Sequence, residues 1–260
     1  MEAALTILGS GSALPTWQNS PACQVLHLSD KSFMIDCGEG AQLTMRQLGV
    51  KVARLYSIFI SHLHGDHCFG LIGLISTFDM MGRTQPLHIY AHKDLEKLLR
   101  PLLDYHCQDL KYELIFHPLN PRKREVIFSD RTVTVETIPL KHKVPSCGFL
   151  FWEHHRDTEP RKRYAYVSDT MYTEKIIEQI QGVDVLYHEA TFTDEWESRC
   201  KTTMHSTARQ AGRMARLSEA GRLIIGHFSS RVDDHEVFLH EAQEEFPNTE
   251  LAVERKTYVV

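Results

Sequence analysis

Residues Ser61-His62-Leu63-His64-Gly65-Asp66-His67 carry the densest chemistry in this chain. They follow an apolar run at residues 55–61 (LYSIFIS), which reads as a buried strand. They precede a second apolar run, from about Cys68 to Met81, which reads as a helix. The segment is therefore a strand-to-helix loop. His62 and His64, two apart in extended chain, point to one side. Gly65 allows the tight backbone that brings Asp66 and His67 in beside them. Four nitrogen- and oxygen-donor side chains within six residues make a chelating loop for one or two divalent cations, as hydrolytic Zn, Mn or Fe sites use.

The rest of the composition agrees with such a role. Of 260 residues, 42% are hydrophobic and 24% charged, which excludes a disordered or low-complexity chain. Sixteen histidines stand out, and the net charge is -5, so bulk charge does not draw the protein to nucleic acid. Any nucleic-acid contact must come from a local basic patch. No apolar run approaches the roughly 20 residues of a membrane span. The start, MEAALTILGSGSALP, does not read as a signal peptide, so a cytoplasmic protein with no membrane partner is expected. The six cysteines, Cys23, Cys37, Cys68, Cys107, Cys147 and Cys200, form no CxxC pair and read as reduced core thiols.

Along the chain, short strands alternate with helices and no repeat or linker appears. Strands are expected at residues 4–9, 23–28, 32–37, 55–61, 87–91, 112–118, 125–128, 132–139, 148–152, 163–168, 183–187, 223–226 and 251–260. Helices are expected at residues 41–48, 68–81, 94–105, 174–181, 206–218 and 234–246. A surface loop, HHRDTEPRK, occupies residues 154–162. This pattern describes one α/β domain over residues 1–260, with two sheets covered by helices.

The HxHxDH loop matches the signature of the metallo-β-lactamase superfamily. That resemblance implies further ligands from later strand ends, and three residues lie at such ends: His142 in LKHKVPSCGF, Asp169 in YVSDT and His227 in IIGHFSSR. The wording of LGSGSALPT, DCGEGAQLTMRQLG, SHLHGDHCFGL, SDT, HEATF, HSTARQAG and HFSSR resembles the ribonuclease Z (tRNase Z) family over nearly the whole chain. HEATF and HSTARQAG set that family apart from lactamases and glyoxalase-type relatives.

The resemblance implies the metallo-β-lactamase fold, a four-layer αβ/βα sandwich, and a homodimer. It implies a metal-dependent phosphodiesterase that removes the 3′ trailer from precursor tRNA. One Zn2+ would take His62, His64 and His142, the other Asp66, His67 and His227, with Asp169 between them; Mn2+ and Fe2+ suit the same donors. Two such metals hold a bridging hydroxide for attack on phosphorus and neutralise charge developing there. Asp66 is also the implied base. Glu189 of HEATF stands behind His205, the implied acid that stabilises the scissile phosphate or protonates the leaving 3′-oxygen. His188 either shares in this or is a strand-end histidine with no role. Asp36 either supports a metal-binding histidine or caps its own turn.

Two departures from the family bear on substrate. Only residues 143–168 separate His142 from Asp169, where most bacterial members carry a long tRNA-gripping arm. The family's P-x-K-x-R-N loop is here Pro15-Thr16-Trp17-Gln18-Asn19-Ser20, without either base. Trp17 is left to stack on a nucleobase or to pack on the core. The basic triplets Arg122-Lys123-Arg124 and Arg161-Lys162-Arg163 read as solvated charge before RNA contacts. The competing enzyme reading is a small-molecule phosphodiesterase or arylsulfatase-like hydrolase of the same fold. A metal-binding regulatory or scaffolding subunit would require losses at the site, and none is visible.

Overall fold

The computed structural model describes residues 2–154 and 162–260. The loop expected at residues 154–162 lies almost wholly outside the described residues, as does Arg161. The chain divides into two compact units. One runs up to Asn120 and takes back Glu254–Val259; the other holds Pro121–Val253 and Val260.

The first unit is built on a seven-stranded sheet in the order Thr257–Val259, Ala4–Gly9, Cys23–Leu28, Lys31–Ile35, Leu55–Phe59, Leu87–His92 and Leu114–Leu119. The first four strands pair antiparallel and the rest parallel. Parallel neighbours need crossovers. Helices Ala41–Gln47, Leu71–Met80 and Asp94–His106 lie in those connections. Helix Asp94–His106 buries Leu95, Leu99 and Leu103, one apolar stripe at helical spacing. These side chains join Met34, Ile58, Ile60, Leu74 and Phe78 in the unit's core.

The second unit has its own seven-stranded sheet, in the order Thr249–Leu251, Arg222–Gly226, Val185–Glu189, Arg163–Val167, Cys147–Glu153, Val133–Pro139 and Val126–Ser129. Here the first four strands are parallel and the last three antiparallel to their neighbours. Helix Ala208–Leu217 opens on a capping box, with Thr207 and Gln210 satisfying each other's backbone N–H groups. It packs close to the next helix through Gly212, where a Cβ would stand 2.4 Å from the Ala242 carbonyl oxygen. Three parallel strands end side by side, with Val167 opposite His188 and Glu189 opposite Gly226. That row of strand ends places the chemistry of this unit.

Most expected elements lie within a few residues of their observed bounds. Three differ for physical reasons. The helix expected at 68–81 is broken into Gly65–Cys68 and Leu71–Met80, because the Gly70 N–H donates to the Cys37 carbonyl instead of to its own helix. The strand expected at 251–260 is two strands, Thr249–Leu251 and Thr257–Val259, in different sheets, with Arg255 turning the chain between them at φ 65°. Helix Glu197–Thr203 has no counterpart in the sequence reading. No helix among the described residues is long and apolar enough to cross a membrane.

Candidate active site

In the first unit, the chain leaves strand Leu55–Phe59 and runs extended to His64, then turns into the one-turn helix Gly65–Cys68. His62 and His67 are fully buried, and Asp36 lies fully buried behind them. The Asp36 carboxylate accepts from the Ser61 N–H at 2.8 Å, the Ser61 hydroxyl at 2.9 Å and His67 Nδ1 at 2.7 Å. His62 Nδ1 stands 3.0 Å from the same hydroxyl. With that hydroxyl donating to Asp36, it accepts from His62 Nδ1–H. Both rings are thereby fixed with Nε2 as the lone-pair nitrogen.

His62 Nε2 meets His64 Nδ1 at 2.9 Å, and the His62 and His67 ring centroids are 4.2 Å apart. His67 Nε2 and Asp66 Oδ2 lie 3.4 Å apart. Imidazole nitrogens about one cation at ~2.0–2.1 Å are spaced by roughly 3 Å, so converging lone-pair nitrogens suit a shared metal. The donor set fits. Asp36 is thus the supporting carboxylate and not merely a turn cap. Asp36→Asn is expected to weaken metal binding roughly 10- to 100-fold, read by competition with a chromogenic chelator. Unchanged affinity would reduce Asp36 to a structural role.

In the second unit, Asp169 is buried just past strand Arg163–Val167, with the Ser168 hydroxyl donating to Oδ1 at 2.8 Å. His227 Nε2 lies 3.3 Å from Asp169 Oδ1, and His142 Nε2 lies 3.8 Å from Oδ2. His142 Nδ1 donates to the Met204 carbonyl at 3.0 Å, leaving Nε2 as its lone-pair nitrogen. Burial pushes the His142 imidazole below its usual pKa despite Asp169 and the Met204 carbonyl, which keeps it neutral as a ligand must be. Asp169, His205 and His227 each offer a donor atom within 4.8 Å of the other two.

Glu189 holds this set together. Fully buried, it accepts from the Thr170 N–H at 2.5 Å, the Ser206 N–H at 3.1 Å and the Thr191 hydroxyl at 2.6 Å. His205 Nδ1 sits 3.0 and 3.1 Å from its two oxygens. Burial alone would raise the Glu189 pKa, but the charge and hydrogen bond of His205, aided by His227, hold it below its usual value. The expected Glu189–His205 pair is present.

Thr191 belongs to the same network, and the sequence reading missed it. Its hydroxyl donates to Glu189, accepts from His227 Nδ1 at 2.9 Å and lies 3.3 Å from His205 Nδ1. It fixes the His227 tautomer with Nε2 toward Asp169. Its place two residues after Glu189, inside HEATF, was the available signal. His188 takes no part in this network. Its Nδ1 donates to the Glu189 carbonyl, and among the described residues its Nε2 has no hydrogen-bond partner. Burial depresses its pKa, and its cross-strand partners are the core residues Val167 and Ile225.

Four of the seven non-glycine residues with positive φ among the described residues fall in these same places. Ser29, Glu219 and Arg255 lie in turns elsewhere, whereas Ala13, Asp36, Met204 and His227, with φ between 55° and 64°, lie here. Each is a site residue or bonds to one, which is where strained backbone is retained. The Ala13 N–H donates to Asp66 Oδ2 at 2.8 Å, tying the loop after the first strand to the proposed base. Trp17 in that loop is fully exposed, so it does not pack on the core.

Other sequence candidates resolve simply. Arg124 pairs with Glu136 at 2.9 Å and Lys123 with Glu125 at 4.0 Å. Arg163 donates to the carbonyls of Gln181 and Gly182, and Lys162 lies 4.0 Å from Asp184. Each of these four side chains has a partner within the protein. The six cysteines form no disulfide among the described residues, and burial raises the thiol pKa of Cys23, Cys37, Cys68, Cys107 and Cys200.

A family model described as anti-Pycsar protein Apyc1 matches residues 3–237. A protein named ribonuclease Z from Phocaeicola vulgatus is 46% identical, with 95% of this chain and 94% of that protein covered. Another of the same name, from Azobacteroides pseudotrichonymphae, is 46% identical with 96% of each covered. The first alignment runs over 291 positions against a chain of 260, so that relative carries residues this chain lacks. The structure of the short form of human tRNase Z superposes with a TM-score of 0.84 at 26% identity, covering 98% of both chains. A metallo-β-lactamase fold protein from Bacillus subtilis superposes at 0.80 and 21% identity over 99% of both, a likeness of fold.

Proposed function

The chain belongs to the ribonuclease Z family and falls within the range of the Apyc1 family model; on that footing we propose that it is a metal-dependent endoribonuclease that removes the 3′ trailer from precursor tRNA. The observation that carries the chemistry is the cluster of buried Asp169 and His227 with half-buried His205, and Glu189 behind His205. In this reading the whole chain works as one metallo-β-lactamase-like domain, as a cytoplasmic homodimer.

The proposed ligands are His62, His64 and His142 for one zinc, and Asp66, His67 and His227 for the other, with Asp169 shared. When bound, the metals make water acidic enough to act as a nucleophile near neutral pH and neutralise charge at phosphorus. The chain's own residues do the rest. Asp66, held by the Ala13 N–H, orients the attacking water and takes its proton. His205 delivers a proton to the departing 3′-oxygen, and buried Glu189 stabilises its imidazolium form. Asp36, Ser61, Thr191 and the Met204 carbonyl fix the imidazoles, so little reorganisation is needed.

A second reading, a small-molecule phosphodiesterase of the same fold, rests on the chain's shortness beside its relative. The two are separated by assaying metal-loaded protein on 3′-extended pre-tRNA, mature tRNA ending in CCA, and an aryl phosphodiester. Cleavage of the first after the discriminator base, with the second intact, is expected. Cleavage of the aryl ester alone would overturn the tRNA assignment and leave the hydrolase class standing.

A further inference from the structure

A cavity of about 640 Å³ lies in the second unit, within the ~300–1,000 Å³ of small-ligand sites, and the carbonyl of one lining residue, Cys200, accepts the N–H of the proposed acid, His205. One wall is Met171 and Tyr172, directly after Asp169 and Thr170; the other is helix Glu197–Thr203, through Glu197, Ser198, Cys200 and Lys201. Both walls are bonded to catalytic backbone. The Cys200 carbonyl accepts the N–H groups of Met204 and His205, and the Met204 carbonyl receives His142. The Met171 N–H donates to the Lys141 carbonyl, one residue before His142. The cavity therefore keeps a fixed position relative to His205.

Its chemistry suits an uncharged heterocycle. Half-buried Tyr172 lines it with an aromatic ring whose centroid lies 5.8 Å from the Arg213 guanidinium, and its hydroxyl donates to Glu174 at 2.8 Å. Glu197 and Lys201, one helical turn apart, bring opposite charges to the same wall. The Glu197 carboxylate disfavours a phosphate there, whereas a base edge uses donors and acceptors alike. In the proposed reaction His205 protonates the departing 3′-oxygen, and the cavity wall is one hydrogen bond, Cys200 carbonyl to His205 N–H, from that residue.

We infer that this cavity is the subsite for the nucleoside whose 3′-oxygen is released, with its base stacked on Tyr172. The inference rests on the reading that the enzyme is a phosphodiesterase releasing a 3′-oxygen. In that step water adds to phosphorus, the P–O3′ bond breaks, and the oxygen leaves as a hydroxyl.

The test is a coupling measurement on the full-length, metal-loaded protein, using pre-tRNA with a normal or an abasic nucleotide 5′ to the scissile phosphate. Removing the base is expected to slow single-turnover cleavage by wild type roughly 10- to 100-fold, the scale of one base–aromatic contact. Tyr172→Ala should lose the same factor on the normal substrate and nothing further on the abasic one. Tyr172→Phe, which keeps the ring, should recover the dependence on the base. Ser198→Phe, a surface change that fills the cavity, should likewise slow only base-bearing substrates, which guards against misfolding of the alanine variant. Losses that multiply, or a wild type indifferent to the base, would overturn the subsite. If wild type leaves pre-tRNA whole, the tRNA reading fails separately. The subsite is then decided by the same comparison on a nucleoside 3′-(methyl phosphate) and its abasic counterpart.

Discussion

Asp66→Ala is expected to lower phosphodiester turnover by three orders of magnitude or more while leaving the fold intact. Asp66 sits at the start of the one-turn helix Gly65–Cys68, with only 10% of its side chain exposed. Its carboxylate accepts the Ala13 N–H and lies 3.4 Å from His67 Nε2. Truncation leaves the Ala13 N–H at an exposed loop, where water can replace the acceptor, so losing that bond costs about 1 kcal/mol or less. The chemical cost is larger, because one carboxylate serves as proposed ligand and proposed base. General-base catalysis alone is worth roughly 10²–10⁴ in rate. Metal counted in the purified variant divides the two contributions: a retained complement assigns the loss to the base, and a missing equivalent assigns it to ligation. A variant of unchanged rate and metal content would remove Asp66 from both roles.

The sequence made this half of the site legible for a local reason. Four donors within six residues need no knowledge of the fold, because a strand end and a glycine turn bring them together. Asp36 was readable only as an alternative, since its choice between turn cap and histidine support depends on Ser61 and His67 reaching it in space. His142, Asp169 and His227 are far apart in sequence. They could be found only by resemblance, which supplied the expectation that strand ends converge. Thr191 escaped because a hydroxyl has no ligand signature; its role appears once Glu189, His205 and His227 are seen around it.

Fold boundaries failed where long-range backbone bonds overrode local pattern. The apolar periodicity of residues 68–81 predicts one helix and contains no sign that the Gly70 N–H is claimed by Cys37. The last ten residues have a uniform strand character that cannot reveal a turn at Arg255. Helix Glu197–Thr203, with only Cys200 buried, lacks the apolar stripe on which helix reading depends. That same polar helix forms a wall of the proposed nucleoside subsite, so the element hardest to read lies next to the chemistry.

Glu189→Gln is expected to lose both stability and activity, the largest combined effect of any single substitution in the second unit. The wild-type carboxylate is completely buried and serves as acceptor for two backbone N–H groups, the Thr191 hydroxyl and His205. An amide presents one acceptor oxygen and turns an N–H2 group toward donors, so at least one partner is left unsatisfied. Breaking a buried charged arrangement in this way costs about 3–5 kcal/mol. At this chain length that corresponds to a fall in Tm of about 10 °C. The rate should fall about 100-fold or more, because His205 loses the charge that favours its protonated form. His205→Ala separates the two effects. It leaves the backbone donors on Glu189 and so should unfold at a temperature between wild type and Glu189→Gln, yet lose as much rate. If the pair acts as one acid, the double variant is no slower than His205→Ala. A double variant slower by the product of the two losses would show that Glu189 acts on the reaction by some route other than His205, and the proton-donor assignment would fall.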